Sequence, residues 1–506
     1  MRFRRTGLPS ARRQAYACSS DEAEGRRMHE YRNLIGGELR AAEGGGTLDS
    51  VDPATGEVWA RIPRSGAADA DAAVAAARAA FPAWSAMPSP GRAHYLQKVV
   101  GVFAANAREL AELETRDNGR TINETAKRDL PGMAYLWTNA AAECAAAVEG
   151  RSVDFGPGHL GLTRREPYGV TLGIIPWNSP ISTFSAKAAF ALAAGNTVII
   201  KPAEQATVSS LRLAELLKDV LPAGVLNVVS GLGEEVGDPL VRHRGVNKIS
   251  LTGSVETAKI ITRASADALK PLALELGGKS PNIVFADADL DKAAVGVTTQ
   301  AIFTANAGQI CYGGSRILVQ RPVYDEMLHR MKEIAGTIRL GDPMSAETTM
   351  GPIVSREQFE RVTSYLEIGR KEGAELVFGG RSGPEAVGEE RFAGGYWVEP
   401  TLFATEDNRL RICQEEIFGP VAVVLPFDTE DEAVALANDS SYGLAAGVWT
   451  TDLGTAQRMF RRLETGTVWV NTFRKVVFPL EGVKDSGYGH DSVLAYTREK
   501  ACLIEF

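Results

Sequence analysis

Between Val170 and Leu276 the chain alternates short β-branched or apolar runs with helix-like stretches. The apolar runs are Val170–Ile175, Thr197–Lys201, Val225–Val229, Lys248–Leu251 and Leu272–Leu276. Between them lie Ser185–Ala194, with Gly195 as its stop, then Ser209–Val220, Glu234–His243 and Val255–Ala266. Strands joined through helices by short loops run parallel, because a tight hairpin cannot join parallel neighbours. The expected fold class is therefore α/β, with a doubly wound parallel sheet. Ligands of such sheets sit at the carboxyl ends of the strands. A second α/β alternation runs from about Pro281 to Lys484. Ahead of both, 67–81 reads as an Ala-rich helix ended by Pro82, and 98–118 and 134–148 also look helical. Arg151–Arg165 is short, Gly/Pro-containing and then polar, which suits an extended arm.

Composition removes several classes of partner. The chain has 506 residues, 44% of them apolar and 23% charged, enough for a sizeable core. Its net charge of −8 gives no basic face for phosphates, so nucleic acid is not an expected partner. The longest uncharged apolar stretch, Val170–Ala186, is broken by Pro176, Asn178 and Pro180 and is too short to span a bilayer. Residues 1–16 hold Arg2, Arg4, Arg5, Arg12 and Arg13 and no acid. A transit peptide, a disordered arm, or a start placed ahead of Met28 would each give this pattern, and the last two are preferred. Five scattered cysteines without a CxxC, Cys18, Cys144, Cys311, Cys413 and Cys502, fit a reducing compartment, and a cytoplasmic location is expected. Six scattered histidines give no ligand spacing, so no metal is expected.

Three polar side chains stand at strand or loop ends. Cys311 lies in a Gly-flanked segment, Asn306 to Gly314; it is either a buried inert thiol or a nucleophile for a carbonyl. Glu275 ends an apolar strand, where a carboxylate is paired, protonated or functional, and Lys279 is its nearest sequence partner. Asn178 follows another strand, between two prolines, as a turn former or an oxyanion donor. Two glycine turns could meet phosphate. Gly231, Gly233 and Gly237 form GxGxxxG, with Glu234 and Glu235 at a helix N-terminus. Thr252-Gly253-Ser254 offers free N–H groups, or an ordinary N-cap by Ser254.

These residues fall into motifs that resemble the NAD(P)-dependent aldehyde dehydrogenase superfamily, from about Tyr31 to the C-terminus. The motifs run in family order. They are Asp52–Val58, PWN at 176–178, KPAE at 201–204 and TGS at 252–254. LELGGKSPNIVF at 274–285, GQIC ending at Cys311, EEIFGP at 415–420 and SYGLAAGV at 441–448 follow. The resemblance implies a Rossmann-type cofactor domain (28–149 and 168–277), an α/β catalytic domain (278–488) and a small β oligomerisation arm (150–167 and 489–506). Residues 1–27 would be an N-terminal extension. It implies that Cys311 attacks the aldehyde, that Asn178 and the Cys311 N–H hold the oxyanion, and that Glu275 activates the deacylating water. NAD is the implied cofactor, favoured over NADP by the Glu204 carboxylate. Its contacts would be Trp177, Lys201, Glu204, Gly233, Gly237, Gly253, Ser254, Gln358, Glu416 and Phe418. Lys187 matches a family lysine near the oxyanion site, or makes a structural ion pair. A homodimer or homotetramer is implied.

The sequence departs from the family at Ala258, Ser179, Glu481 and His490. The last three fall around the substrate mouth or a subunit contact. The loop after Asn471 lines the substrate tunnel in the family. Here Arg474 or Lys475 could take a substrate carboxylate, while Phe473 and Phe478 could take an aryl or aliphatic body, with Ser179 beside them. A semialdehyde acid or an aromatic aldehyde is the expected substrate. A CoA-acylating relative and a non-catalytic protein on the same scaffold are the alternatives; Glu275 argues against the first, and Cys311, Glu275 and Asn178 together against the second.

Overall fold

The structure is a computed structural model and describes residues 28–475 and 480–506. The readings of 1–27, Phe478 and Pro479 lie outside the described residues. The first alternation forms the heart of an eight-stranded sheet. In space its parallel strands run Leu272–Glu275, Lys248–Thr252, Val170–Ile175, Thr197–Pro202, Leu226–Val228. The order reverses between Lys248–Thr252 and Val170–Ile175, and such a switch point opens a crevice at the strand ends. Thr197–Pro202 is buried throughout, as a parallel strand covered by helices on both faces must be. The two edges are closed by antiparallel strands. Asn33–Ile35 pairs with the Leu226–Val228 side, and Gly487–Tyr488 pairs with Leu274 and Glu275. The second edge carries the C-terminal segment to the end of the strand that bears Glu275.

The second alternation forms a seven-stranded sheet. Its order is Glu375–Phe378, Thr401–Ala404, Val421–Phe427, Arg316–Gln320, Pro281–Val284, Ala445–Trp449, Thr467–Val470. Only Glu375–Phe378 is antiparallel to its neighbour. The expected extended arm is two strands, Ser152–Asp154 and His159–Pro167, and Thr497–Glu505 completes a three-stranded antiparallel sheet with them. Phe155, Leu162, Leu503 and Phe506 are exposed on and beside it.

The helix expected to end at Pro82 instead runs Ala67–Ala86. A proline inside a helix removes one hydrogen bond and crowds the preceding turn. The last turn holds because Trp84 is 1% exposed and its indole N–H donates to the Leu192 carbonyl at 3.2 Å. Trp84→Ala should therefore lower stability by about 3–5 kcal/mol. Guanidinium unfolding followed by circular dichroism measures this, and an unshifted midpoint contradicts it.

Candidate active site

The loops at the carboxyl ends of the first sheet form one wall of the crevice. Lys201 ends its strand buried, and its ammonium lies 3.2 Å from Glu204. Beside it a methyl on Gly237 would meet only the Lys201 Cε, at 4.0 Å, and one on Gly233 would meet nothing within 4 Å. Space is therefore kept open next to a cation–carboxylate pair. Glu235 of the same turn is neutralised by Arg64. Ser254 caps the helix Val255–Ser265 by accepting the Thr257 N–H at 3.1 Å, and it follows Gly253 at the switch-point strand. Ala258 is buried in that helix, facing the core.

The other wall comes from the second sheet. One Glu416 oxygen accepts the Gly278 N–H at 2.9 Å. A side chain at Gly277 would overlap the Glu416 carboxylate, so this approach requires glycine. Burial pushes the Glu416 carboxyl up to about 7. Phe418 has φ +59, and its carbonyl accepts from the Gln358 amide at 2.9 Å, as the Ile417 carbonyl does at 3.1 Å. Gln358 thus holds the loop that presents Phe418. The Phe418 ring stands edge-on to Trp177, with centroids 5.2 Å apart. An open cradle, a hydroxyl-binding carboxylate and two aromatic walls at a switch point fit a dinucleotide.

Cys311, Glu275 and Asn178 converge where the two walls meet. A side chain on Gly278 would come within 2.6 Å of the Cys311 carbonyl oxygen, which places the loop after Glu275 against the cysteine. Burial first, then the charges of Glu275 and Glu416, push the Cys311 thiol up to about 12. The backbone N–H groups of Tyr312 and of Cys311 itself act the other way and favour the thiolate. Burial, and behind it the charge of Asp491, push the Glu275 carboxyl up to about 8, against the pull of Lys187. The alternative Glu275–Lys279 ion pair is not formed. One buried Glu275 oxygen and the Lys279 ammonium both lack partners among the described residues. Lys187 does make an ion pair, with Asp491 at 3.2 Å, and donates to Ser250 at 2.8 Å. Burial opposes the Asp491 charge, but Lys187, Tyr496 and Ser250 hold that carboxyl below its ordinary range.

The Asn178 amide donates to the Gln309 carbonyl at 2.8 Å, which leaves its second N–H for a substrate oxygen. The Asn178 backbone carbonyl accepts from the Asn306 side-chain amide at 3.0 Å and from Arg120 at 3.4 Å. The Asn306 N–H is in turn held by both Glu124 oxygens, at 3.1 and 3.3 Å. Gln309 is anchored by the Val354 N–H and the Asn306 carbonyl, both at 3.0 Å. The sequence reading did not single out Arg120, Glu124, Asn306, Gln309 or Asp491 for the site. A signal for the first existed: Glu114, Thr115, Asp117, Asn118 and Arg120 are a polar run at a helix end, and all are buried.

The expected substrate residues divide. Ser179 borders the centre and accepts from Arg120 at 2.9 Å. Arg474 is inward, its side chain 5% exposed and 3.5 Å from Glu124. Lys475 is exposed. Phe473 is 2% exposed, with its ring tilted against Trp469 at 4.7 Å in the second sheet's core. An aromatic after a polar Thr472 packs inward wherever the core beneath it has room.

Residues 40–502 match the model of the aldehyde dehydrogenase family. A Bacillus subtilis (strain 168) relative, DhaS, whose name assigns it provisionally to the aldehyde dehydrogenases, is 42% identical over 462 residues, 90% of this chain and 91% of its own. The NAD+ complex of an aldehyde dehydrogenase from Bacillus cereus superposes with a TM-score of 0.90 at 40% identity, covering 94% of this chain and 97% of that one. AldA of P. syringae, an indole-3-acetaldehyde dehydrogenase solved with NAD+ and IAA, gives 0.90 at 39% identity, covering 95% and 98%. With a cysteine, a carboxylate and an amide gathered at the mouth of a dinucleotide-shaped crevice, the chain belongs to the aldehyde dehydrogenase family.

Proposed function

We propose that the protein oxidises an aldehyde to a carboxylic acid with NAD, through a covalent adduct on Cys311. The convergence of Cys311, Glu275 and Asn178 at one point of the crevice carries this reading. The Cys311 sulfur bonds to the carbonyl carbon as its proton passes to solvent water. The second Asn178 N–H and the Cys311 N–H donate to the oxygen that becomes an alkoxide, worth roughly 3–4 kcal/mol per aimed donor. A bound nicotinamide dinucleotide supplies the acceptor for the hydride that this tetrahedral carbon sheds. The carbon is then a thioester carbonyl on Cys311. Glu275 takes a proton from water, the hydroxide adds to that carbonyl, the carbon–sulfur bond breaks to release the acid, and the leaving thiolate takes the proton back from Glu275. Lys187 and Asp491 hold the fixed charges beside Glu275 and keep its pKa within reach of neutral pH.

For the cofactor, Lys201 and Glu204 would grip the adenosine ribose, Gly233 and Gly237 would leave room for the adenine, and Gly253 with Ser254 would meet the pyrophosphate. Glu416 would hold the nicotinamide ribose, with Trp177 and Phe418 against the ring and Gln358 supporting Phe418. The division into 28–149 with 168–277, 278–488, and 150–167 with 489–506 stays our reading of the domains. A dimer or tetramer is supported by the exposed apolar side chains of the arm, since an antiparallel sheet with open edges can accept strands from a second copy. Cys144, Cys311, Cys413 and Cys502 are free, which supports a reducing, cytoplasmic setting.

Two results are expected. Glu275 works as a base only when ionised, and its carboxyl sits at about 8. Turnover should therefore rise with pH and level off above about 8. Glu275→Gln should lose about 100- to 10,000-fold in kcat and lose that inflection, while Cys311→Ala should abolish NADH formation and keep NAD binding. A Glu275→Gln enzyme with the wild-type pH profile contradicts the assignment. Second, Glu204→Gln removes a charge that repels a 2′-phosphate. Its NAD-over-NADP ratio of kcat/KM should fall at least about tenfold. An unchanged ratio places the discrimination elsewhere.

A further inference from the structure

The helix Ser89–Asn118 buries a polar face at its last turn. Glu114, Asp117 and Asn118 stand at i, i+3 and i+4, so they share one face, and all are 0% exposed. A helix ordinarily turns apolar side chains inward at such positions. Two of the three grip the segment that carries Asn178. The Asn118 amide donates to the Trp177 carbonyl at 2.5 Å. One Glu114 oxygen accepts the Ile181 N–H at 3.1 Å. Ser179 is the N-cap of the helix Pro180–Ala193, yet its hydroxyl caps nothing and accepts from Arg120 instead. Gly119, at φ +85, makes the turn between Asn118 and Arg120. Trp177, Asn178, Ser179 and Ile181 are thus all held from one helix end. Asp117 serves a different loop, through the Val208 N–H at 2.8 Å.

Asn118 is a poor stabiliser for so buried a side chain. Its own amide oxygen takes no partner among the described residues. A buried polar atom left unsatisfied costs free energy, and one neutral hydrogen bond returns little of it. That one bond, however, falls on the peptide that joins Trp177 to Asn178. A peptide unit is planar, so holding its carbonyl fixes the plane from which Asn178 projects. The next peptide is held through the Asn178 carbonyl, by Asn306 and Arg120. Both planes that meet at the Asn178 Cα are therefore fixed. A donor loses its stabilisation of a developing charge steeply when it is misplaced. We propose that Asn118 is a positioning residue of the reaction: its bond to the Trp177 carbonyl aims the second Asn178 N–H at the oxygen of the aldehyde. This rests on the oxyanion role given to Asn178 above.

The test compares Asn118→Ala, Asn178→Ala and the double variant as full-length enzymes, with NAD and one aldehyde. Asn178→Ala should lower kcat about 100- to 1,000-fold. Asn118→Ala should lower kcat about 10- to 100-fold and keep KM for NAD within about threefold. The double variant should fall no more than about twofold below Asn178→Ala, because the effect of Asn118 passes through that amide. Thermal melting followed by circular dichroism shows whether Asn118→Ala is folded. Asn118→Leu, which nearly keeps the shape and loses the donor, gives the same comparisons if it is not. Losses that multiply in the double variant overturn the positioning role, since a merely structural defect would add to the loss of Asn178. Wild-type kcat in folded Asn118→Ala or Asn118→Leu overturns it as well. Wild-type kcat in Asn178→Ala overturns the oxyanion reading itself, and the proposal with it.

Discussion

The hydrogen bond from the Asn178 amide to the Gln309 carbonyl joins the two halves of the molecule at the point where chemistry is expected. Asn178 follows the strand at the switch point of the first sheet. Gln309 precedes Cys311 in a loop that leads into the second. One neutral hydrogen bond contributes only about 1 kcal/mol net. Here it is backed by Asn306, Arg120 and Glu124 on one side and by Val354 on the other. A network of this kind fixes geometry more than it adds stability, because each member is costly to leave unsatisfied once buried. Gly277 and Gly278 do the same across the cofactor wall, letting Glu416 and the cysteine loop come close.

The resting electrostatics follow from that closeness. Two carboxylates and a thiol share a partly buried space, and each is pushed toward its neutral form. A thiolate formed early would be exposed to side reactions; a thiol that ionises as the carbonyl adds is protected until substrate arrives. The stabilising donors, the Cys311 N–H and the second Asn178 N–H, act where the charge develops. No carbonyl among the described residues takes the Cys311 N–H, so it is ready for that role. Lys187 and Asp491 bring balanced charge to the base without adding net charge.

Much of this was legible in the chain. The alternation after Val170 predicted the parallel sheet because period and loop length leave few other solutions. The motif residues Cys311, Glu275, Asn178, Glu416 and Phe418 do come together in the crevice, since each is fixed by backbone at a strand or loop end. What the sequence concealed depends on tertiary partners. Pro82 stays inside its helix because Trp84 docks on Leu192, a contact 108 positions away. Phe473 is core because Trp469 packs against it, whereas a loop reading gives no sign of depth. Glu124 ends a short helix that runs on into a π turn, which periodicity does not reveal.

The central claim is that Cys311 carries the oxidised carbon before water releases it, with Glu275 needed only for the release. Mixing Glu275→Gln with NAD and a slowly turned-over aldehyde, then acid-quenching for peptide mass spectrometry, tests it directly. The account predicts NADH up to one equivalent per subunit and an acyl mass on the Cys311 peptide that persists at neutral pH. NADH formation with no adduct on Cys311 would contradict it.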